Sequence, residues 1–260
     1  MAVALTAVAA GPTSATAPSF GIEDASVKPR KAFFDAVDRV RIAFRPHSAL
    51  ARSARIVIRI RRRGGAVVRR FDLGEVRMGK RQLIFWNGIT ERGKAAKDGG
   101  YRVFVVIGSD GAIPIGGFAL HGHFFPVRGP HRTRGPIGEF GAPRSRGRAH
   151  EGFDLAASCG TPLAAVRAGK VVRRGYDPVL YGNFIEIKGR KQRRSYFYSH
   201  LAKPANPKRG ELVKTQQRLG RVGRTGNARD VSGCHLHFEI HRHGHPVDPE
   251  ALLRDWDRYS

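Results

Sequence analysis

The chain has almost no cysteine: two in 260 residues, Cys159 and Cys234. Neither stands in a CxxC pair, which excludes a Cys-built zinc knuckle and a CxxC redox motif. Long apolar runs are also missing. No stretch of 18 apolar residues occurs, so no helix is expected to cross a membrane. Helical periodicity is absent apart from "DPEALLRDWDRY" near the C-terminus, which argues against a helical bundle. Acidic residues are scarce: 21 Asp and Glu against 47 Lys and Arg, a formal charge of +26. The excess is not a basic tail, because residues 1–125 hold 21 basic and 9 acidic residues and residues 126–260 hold 26 and 12. Such a charge favours anionic partners: nucleic acid, a membrane surface or an anionic cell wall. The dispersed arginines and the lack of a reader motif argue against specific nucleic-acid binding. An even spread of Arg is also what a GC-rich genome produces without any ligand.

What is present is β pattern. From residue 24 to about 125, short apolar-polar runs such as "ARIVIRIRRR", "RQLIFWNG" and "GYRVFVVIGSDG" alternate between Gly, Asn and Asp turns. This is the rhythm of an antiparallel sandwich. In "RIVIRIR", Ile56, Ile58 and Ile60 share a face, and arginines occupy the other. Residues 126–149 are rich in Pro, Gly and Arg and read as a surface connection. From His150 short strands return, so both halves read as mainly β. The division expected is 1–20 as a signal remnant or tail, 21–125 as a sandwich, 126–149 as a connection and 150–260 as a second domain. The opening "MAVALTAVAAGPTSATAPSFG" is similar to the end of a secretory signal but lacks a basic n-region. In an exported protein the two cysteines can pair.

Three polar groups can carry chemistry. "HEGFD" offers His150 and Asp154, both good zinc ligands. It starts like HExxH but fails at position 154. Four residues of straight strand span about 13 Å, so Gly152 is expected to supply a bend. "GCHLHFEI" sets His235 and His237 on one strand face, with Leu236, Phe238 and Ile240 on the other. "SYFYSHL" ends a strand on His200. The remaining histidines of "HRHGHPVDP", His241, His243 and His245, lack an apolar partner face and are expected in a solvated turn. Glu151 and Glu239 read as a loop residue and a strand-face residue.

Two family resemblances follow. "FDLGEVRMGKRQLIFWNGITERGKAAKDGGYRVFVVIGSDG", with Trp86, Asn87, Gly88, Gly99, Gly100 and Tyr101 in key places, resembles the immunoglobulin-like repeat of flagellar-hook assembly proteins. It speaks to fold alone. From about Phe124 to Leu253, "AHEGFDLAASCGTPLAAVRAGKVV", "YGNFIEI", "YFYSHL", "GRVGRTGNA", "CHLHFEI" and "PVDPEALL" resemble the lysostaphin-type (LytM-like) zinc metallopeptidases. The surrounding Gly152, Gly160, Gly169, Gly182, Gly223 and Gly226 fit that framework. The resemblance implies a secreted, cell-envelope endopeptidase acting on peptidoglycan stem or cross-bridge peptides. It implies one Zn2+ per chain on His150, Asp154 and His237, with an open position for water. His200 and His235 would then handle protons, there being no HExxH glutamate. Zinc binding would draw Cys159 and Cys234 toward one rim, so a disulfide is expected. The alternative is a non-catalytic relative that binds peptidoglycan or activates another hydrolase.

Overall fold

The computed structural model describes residues 20–231 and 233–260; the signal-like stretch up to Ser19 lies outside the described residues. The chain is mainly β. Eight strands form the first half: β1 (Gly21–Lys28), β2 (Lys31–Phe33), β3 (Val40–His47), β4 (Ser53–Arg62), β5 (Val67–Arg77), β6 (Gln82–Trp86), β7 (Gly99–Ile107) and β8 (Ala112–His121). They make a three-stranded sheet, β1-β3-β6, and a five-stranded sheet, β2-β8-β7-β4-β5. Alternation decides which side of each strand meets the other sheet. Ile56, Ile58 and Ile60 of β4 are fully buried against Ile42 and Phe44 of β3 in one core. Trp86 closes that core on Tyr101 and Phe118, and its indole N–H donates to the Ile89 carbonyl.

The second half is one eight-stranded sheet and a small ladder. Its strands are β9 (His131–Thr133), β10 (Phe153–Ala157), β11 (Pro162–Ala164), β12 (Gly169–Asp177), β13 (Gly182–Gly189), β14 (Arg194–Leu201), β15 (Leu212–Val213), β16 (Arg218–Arg221), β17 (His235–Arg242) and β18 (His245–Val247). The large sheet runs β15-β12-β13-β14-β17-β10-β9, with β18 on β17, and β11 pairs with β16. Helix α1 (Glu250–Asp257) packs Leu253 and Trp256 into the core under this sheet. Among the described residues no helix is long and apolar enough to cross a membrane.

The stretch read as a surface connection is more than that. Val127 sits in the second core, as does Phe125 just before the stretch, and β9 extends the sheet through β10. Its Pro and Gly content marks tight turns within the sheet's border, which composition alone does not separate from a linker. The halves also touch. Phe33, Ala36, Phe124 and Ala164 form a small shared cluster. Asp35, 2% exposed, pairs with Arg190 and with Lys214 Nζ at 2.8 Å, so a charge buried at the junction is partnered from the other side.

Candidate active site

Register brings the polar residues together. In the antiparallel pair β10–β17, Asp154 lies opposite His237; in β14–β17, Ser199 lies opposite His237, which puts His200 at the same end of the sheet. On β17 the apolar Leu236, Phe238 and Ile240 fill the core while His235, His237 and Glu239 take the other face. His150 precedes β10 in a turn: its N–H donates to the Ala142 carbonyl, and its own carbonyl accepts from Gly141 N–H. The chain bends at Gly152, and the glycine is needed there for a second reason. A Cβ there would come within 2.7 Å of His237 Cε1 and of the Phe238 carbonyl oxygen. The residue is glycine because β17 passes so close.

His150 Nε2, His237 Nδ1 and an Asp154 carboxylate oxygen converge within 4.8 Å, all on buried residues. Partners on the far side of each ring set the tautomers. His150 Nδ1 is 2.7 Å from the Glu139 carbonyl, so it carries the proton and Nε2 is left with a lone pair. His237 Nε2 is 2.7 Å from Glu239 Oε1, which leaves Nδ1 facing Asp154. Two imidazole nitrogens therefore point at each other across 2.7 Å, with Asp154 Oδ1 3.2 and 3.1 Å away. Three donor atoms aimed at one buried point need a cation or a proton between them. Burial opposes charge on His237, but hydrogen bonds to Asp154 and Glu239 outweigh it and raise its pKa to about 9. Burial likewise opposes charge on Asp154, yet hydrogen bonds from His150 and His237 hold the carboxylate well below its usual range. Two imidazoles and one carboxylate are a donor set suited to zinc. The residues fit the ion that the family resemblance implies.

His200 and His235 stand beside this point, ring centroids 4.8 Å apart. His200 sits at φ 59°, and its Nδ1 donates to the Thr225 carbonyl at 2.9 Å. Burial, then the neighbouring His235 and His237, lowers its pKa to about 3; burial lowers His235 to about 4. Both rings are therefore uncharged in the metal-free chain at neutral pH. His235 Nδ1 is buried without a partner, while Nε2 accepts from Arg134 Nη1 at 3.4 Å. All five histidine and aspartate candidates line a single cleft of about 660 Å³, whose walls include Ile137, Arg144, Leu180, Tyr181 and Val231. Cys159 and Cys234 are bonded to each other.

Four residues do more than the sequence reading gives them. His241 is not a solvated turn residue: β17 continues through it, and its ring lies 2.5 Å from Glu239 Oε2 and 3.6 Å from Glu186 Oε1. The turn comes at His243 and Gly244, both at positive φ, and His243 and His245 are exposed. Glu239 is more than a strand-face residue; it is 3% exposed and ties His237 to His241. Arg134 reaches Asp154 Oδ2 at 3.3 Å, with Arg144 3.8 Å from the same oxygen. The period-two pattern His235, His237, Glu239, His241 carried the signal for the first two. Nothing in the sequence pointed to the arginines.

Residues 148–249 match Peptidase family M23. Among curated proteins, the chain is 35% identical over 146 residues to a lipoprotein NlpD/LppB homolog of Pseudomonas aeruginosa, covering 56% of this chain and 44% of that protein. It is 35% identical over 99 residues to the peptidoglycan DD-endopeptidase ShyB of Vibrio cholerae (38% and 22% covered) and 36% identical over 93 residues to lysostaphin of Staphylococcus staphylolyticus (36% and 18%). The chain thus spans less than half the length of these relatives. Among solved structures, a zinc-containing peptidase from Vibrio cholerae matches 80% of this chain and 54% of its own at 21% identity and TM-score 0.42. The catalytic domain of lysostaphin from Staphylococcus simulans matches 45% and 89% at 31% identity and TM-score 0.40.

Proposed function

We propose that this chain, whose residues 148–249 match Peptidase family M23, is a zinc-dependent endopeptidase that cuts peptide bonds in the stem or cross-bridge peptides of peptidoglycan. The observation that carries the reading is the buried convergence of His150, Asp154 and His237 inside an open cleft. These three would hold one Zn2+. The chemistry a bound zinc supplies is a water acidified to a pKa of about 7 and a polarised scissile carbonyl. The neutral His200 and His235 take the proton of the attacking water and return it to the leaving amine. Thr225 orients His200 through its carbonyl, and Glu239 orients His237.

The same proposal makes residues 21–125 an immunoglobulin-like sandwich and 150–260 the catalytic domain, with 126–149 joining them and supplying the rim of the cleft. The protein works in the cell envelope or outside the cell. The Cys159–Cys234 disulfide favours an oxidising compartment, and the charge of +26 suits binding to anionic wall polymers. Digestion of purified peptidoglycan tests the reaction. We expect about one zinc per chain and new free amines without new reducing sugar ends. New reducing ends with no amines would make the chain a glycosidase. Wall binding with no cleavage by the zinc-loaded protein would make it a non-catalytic relative that binds peptidoglycan or activates another hydrolase.

A further inference from the structure

A hollow of about 470 Å³ on the first half is walled by Arg61, Arg62, Arg63, Arg102 and Phe104, with the Gly64–Gly65 turn. No Asp or Glu lines it among the described residues. All four arginines are exposed, and none forms an ion pair within the described chain. Alternation puts Arg59 and Arg61 on the face of β4 opposite the buried isoleucines. Register then sets Arg61 across from Arg102 of β7, and Arg59 across from Arg70 of β5. Like charges directly opposite each other on a sheet cost stability.

The arginines of the hollow are placed by the fold. Arg61 lies over the Phe104 ring, its Cζ 5.7 Å from the centroid. Arg62 Nη2 donates to the Asp98 carbonyl at 3.1 Å, and Arg63 N–H donates to the Gly100 carbonyl at 2.9 Å. The Arg63 side chain crosses Gly100, where a Cβ would come within 2.9 Å of its Cδ. Arg55, on the same face farther back along β4, has Asp72 Oδ2 at 2.5 Å. There the chain supplies the acid; at the hollow it supplies none. This end of the sheet is the one that meets the second half. Gly99 and Gly100 pair with Leu120 and Ala119 of β8, Ala119 pairs with Lys31 of β2, and β2 ends on Phe33 in the cluster shared with Ala164.

We propose that this hollow, continued along the sheet by Arg59 and Arg70, binds a linear phosphodiester polymer of the cell envelope, a polyol phosphate, and so holds the catalytic half beside its substrate. The envelope setting rests on the peptidase reading; the binding does not depend on hydrolysis. A single small anion balances one or two guanidiniums, whereas six along one strip call for anions repeated along a chain. The guanidinium fork matches phosphate oxygens in two-point fashion. A nucleic-acid strand repeats phosphates too, but its bases need open ring faces to stack on, and Arg61 occupies the face of Phe104. Stable attachment to a lipid surface takes apolar insertion besides basic charge, and no exposed large apolar residue lines the hollow.

Calorimetry on the full zinc-loaded chain tests it, with a synthetic glycerol-phosphate oligomer as probe. An oligouronate and a single-stranded oligonucleotide of equal charge, and phosphatidylserine-containing vesicles, are the competitors. The glycerol phosphate should bind most tightly. Arg102→Gln and Arg63→Gln should each weaken it by about tenfold, as expected for one charge-assisted hydrogen-bonded pair. Each should also flatten the slope of log affinity against log salt by about 0.7, the share of one phosphate contact on a single strand. Both side chains are exposed, and losing Arg102 relieves its repulsion with Arg61, so the fold is kept. Arg209→Gln removes the same charge from an exposed position on the second half and should change neither quantity. Equal losses in all three variants would mean that total charge does the binding, and would overturn the site. Equal or tighter binding of the uronate, the oligonucleotide or the vesicles would overturn the assigned partner. Digestion of peptidoglycan stripped of phosphate polymer reads hydrolysis separately; its failure would sink the peptidase reading and leave the binding result to decide this site.

Discussion

Strands β4 and β17 differ in what their second face does. Both bury one apolar row completely: Ile56, Ile58 and Ile60 in one, Leu236, Phe238 and Ile240 in the other. The opposite face of β4 carries Arg55 and Arg61 into solvent. The opposite face of β17 carries His235, His237 and Glu239, which are 3, 7 and 3% exposed. A solvated charge needs no partner, whereas a buried polar group must find one. On β17, His237 and Glu239 are drawn into contacts that run from Asp154 to His241 and Glu186, while His235 meets Arg134 through Nε2 alone. Chemistry sits where a polar face is covered, and the cover comes from the loops at 134–150 and 223–231.

The sharpest way to test this contrast is to empty each face in turn. Asp154→Ala or His237→Ala removes one of three zinc ligands. If each ligand carries about a third of the roughly 10–16 kcal/mol seen for zinc bound by small protein sites, affinity falls by about 10²–10⁴-fold, and hydrolysis goes with it. His200→Ala and His235→Ala should keep the ion and lose about 10²–10⁴-fold in kcat. Arg61→Gln on β4 should change stability by no more than about 0.5 kcal/mol. Metal analysis and peptidoglycan digestion read all five variants. An Arg61 effect as large as that of His237 would erase the distinction between the faces.

The second difference is covalent. The Cys159–Cys234 bridge spans 75 residues of the second half, and the first half has no cysteine. Closing a loop of this size is worth about 2–5 kcal/mol. The two tryptophans divide between the halves, Trp86 in the first and Trp256 in the second, so Trp86→Phe and Trp256→Phe chains each report one region by fluorescence. Reduction should lower the thermal transition seen by Trp256 and leave that seen by Trp86 in place. A common shift would mean that the contacts of Asp35 with Arg190 and Lys214 make the halves unfold as one unit.

Glu239→Gln is a finer cut through the covered face. The amide keeps the shape but loses the charge and one acceptor, so only one of His237 and His241 can go on donating to it. A partner behind a ligand is commonly worth about 10–100-fold in metal affinity. Competition against a chelator should show that loss with the fold intact. An unchanged affinity would reduce Glu239 to filler.

Much of this was legible beforehand. Alternation located both apolar rows, and the motifs gathered His150, Asp154, His200, His235 and His237 into one cleft. The misreadings share a cause. His241 was assigned to solvent because the residues after it are Gly, Pro and Arg, yet Ile240 continues the apolar face and β14 pairs through Ser195 opposite His241. Gly152 is expected to bend the chain, which it does, but the close pass of β17 that also requires a glycine is not visible locally. Arg134 and Arg144 were missed because a Pro- and Gly-rich stretch reads as a connection. In each case the deciding neighbour is far away in sequence, and local pattern carries no record of it.

The smallest expected effect is a pH dependence confined to the covered face. Hydrogen bonds to Glu186 and Glu239, opposed by burial, raise the pKa of His241 to about 9. In the unfolded chain an imidazole titrates near 6.5. The folded protein therefore binds more protons between these values, and its stability falls as pH rises through that window. Below about pH 6.5 the contribution is complete, and above about pH 9 it is gone. His237 has a similar proton in the metal-free chain, so the measurement belongs on zinc-loaded protein, where the ion would take that proton's place. Denaturant midpoints from pH 6 to 10 should decline, and His241→Gln should flatten the slope. His243→Gln, in the exposed turn, should leave the slope alone. A decline that survives His241→Gln would place the titrating group elsewhere, and Glu239 would then hold His237 without help from its second partner.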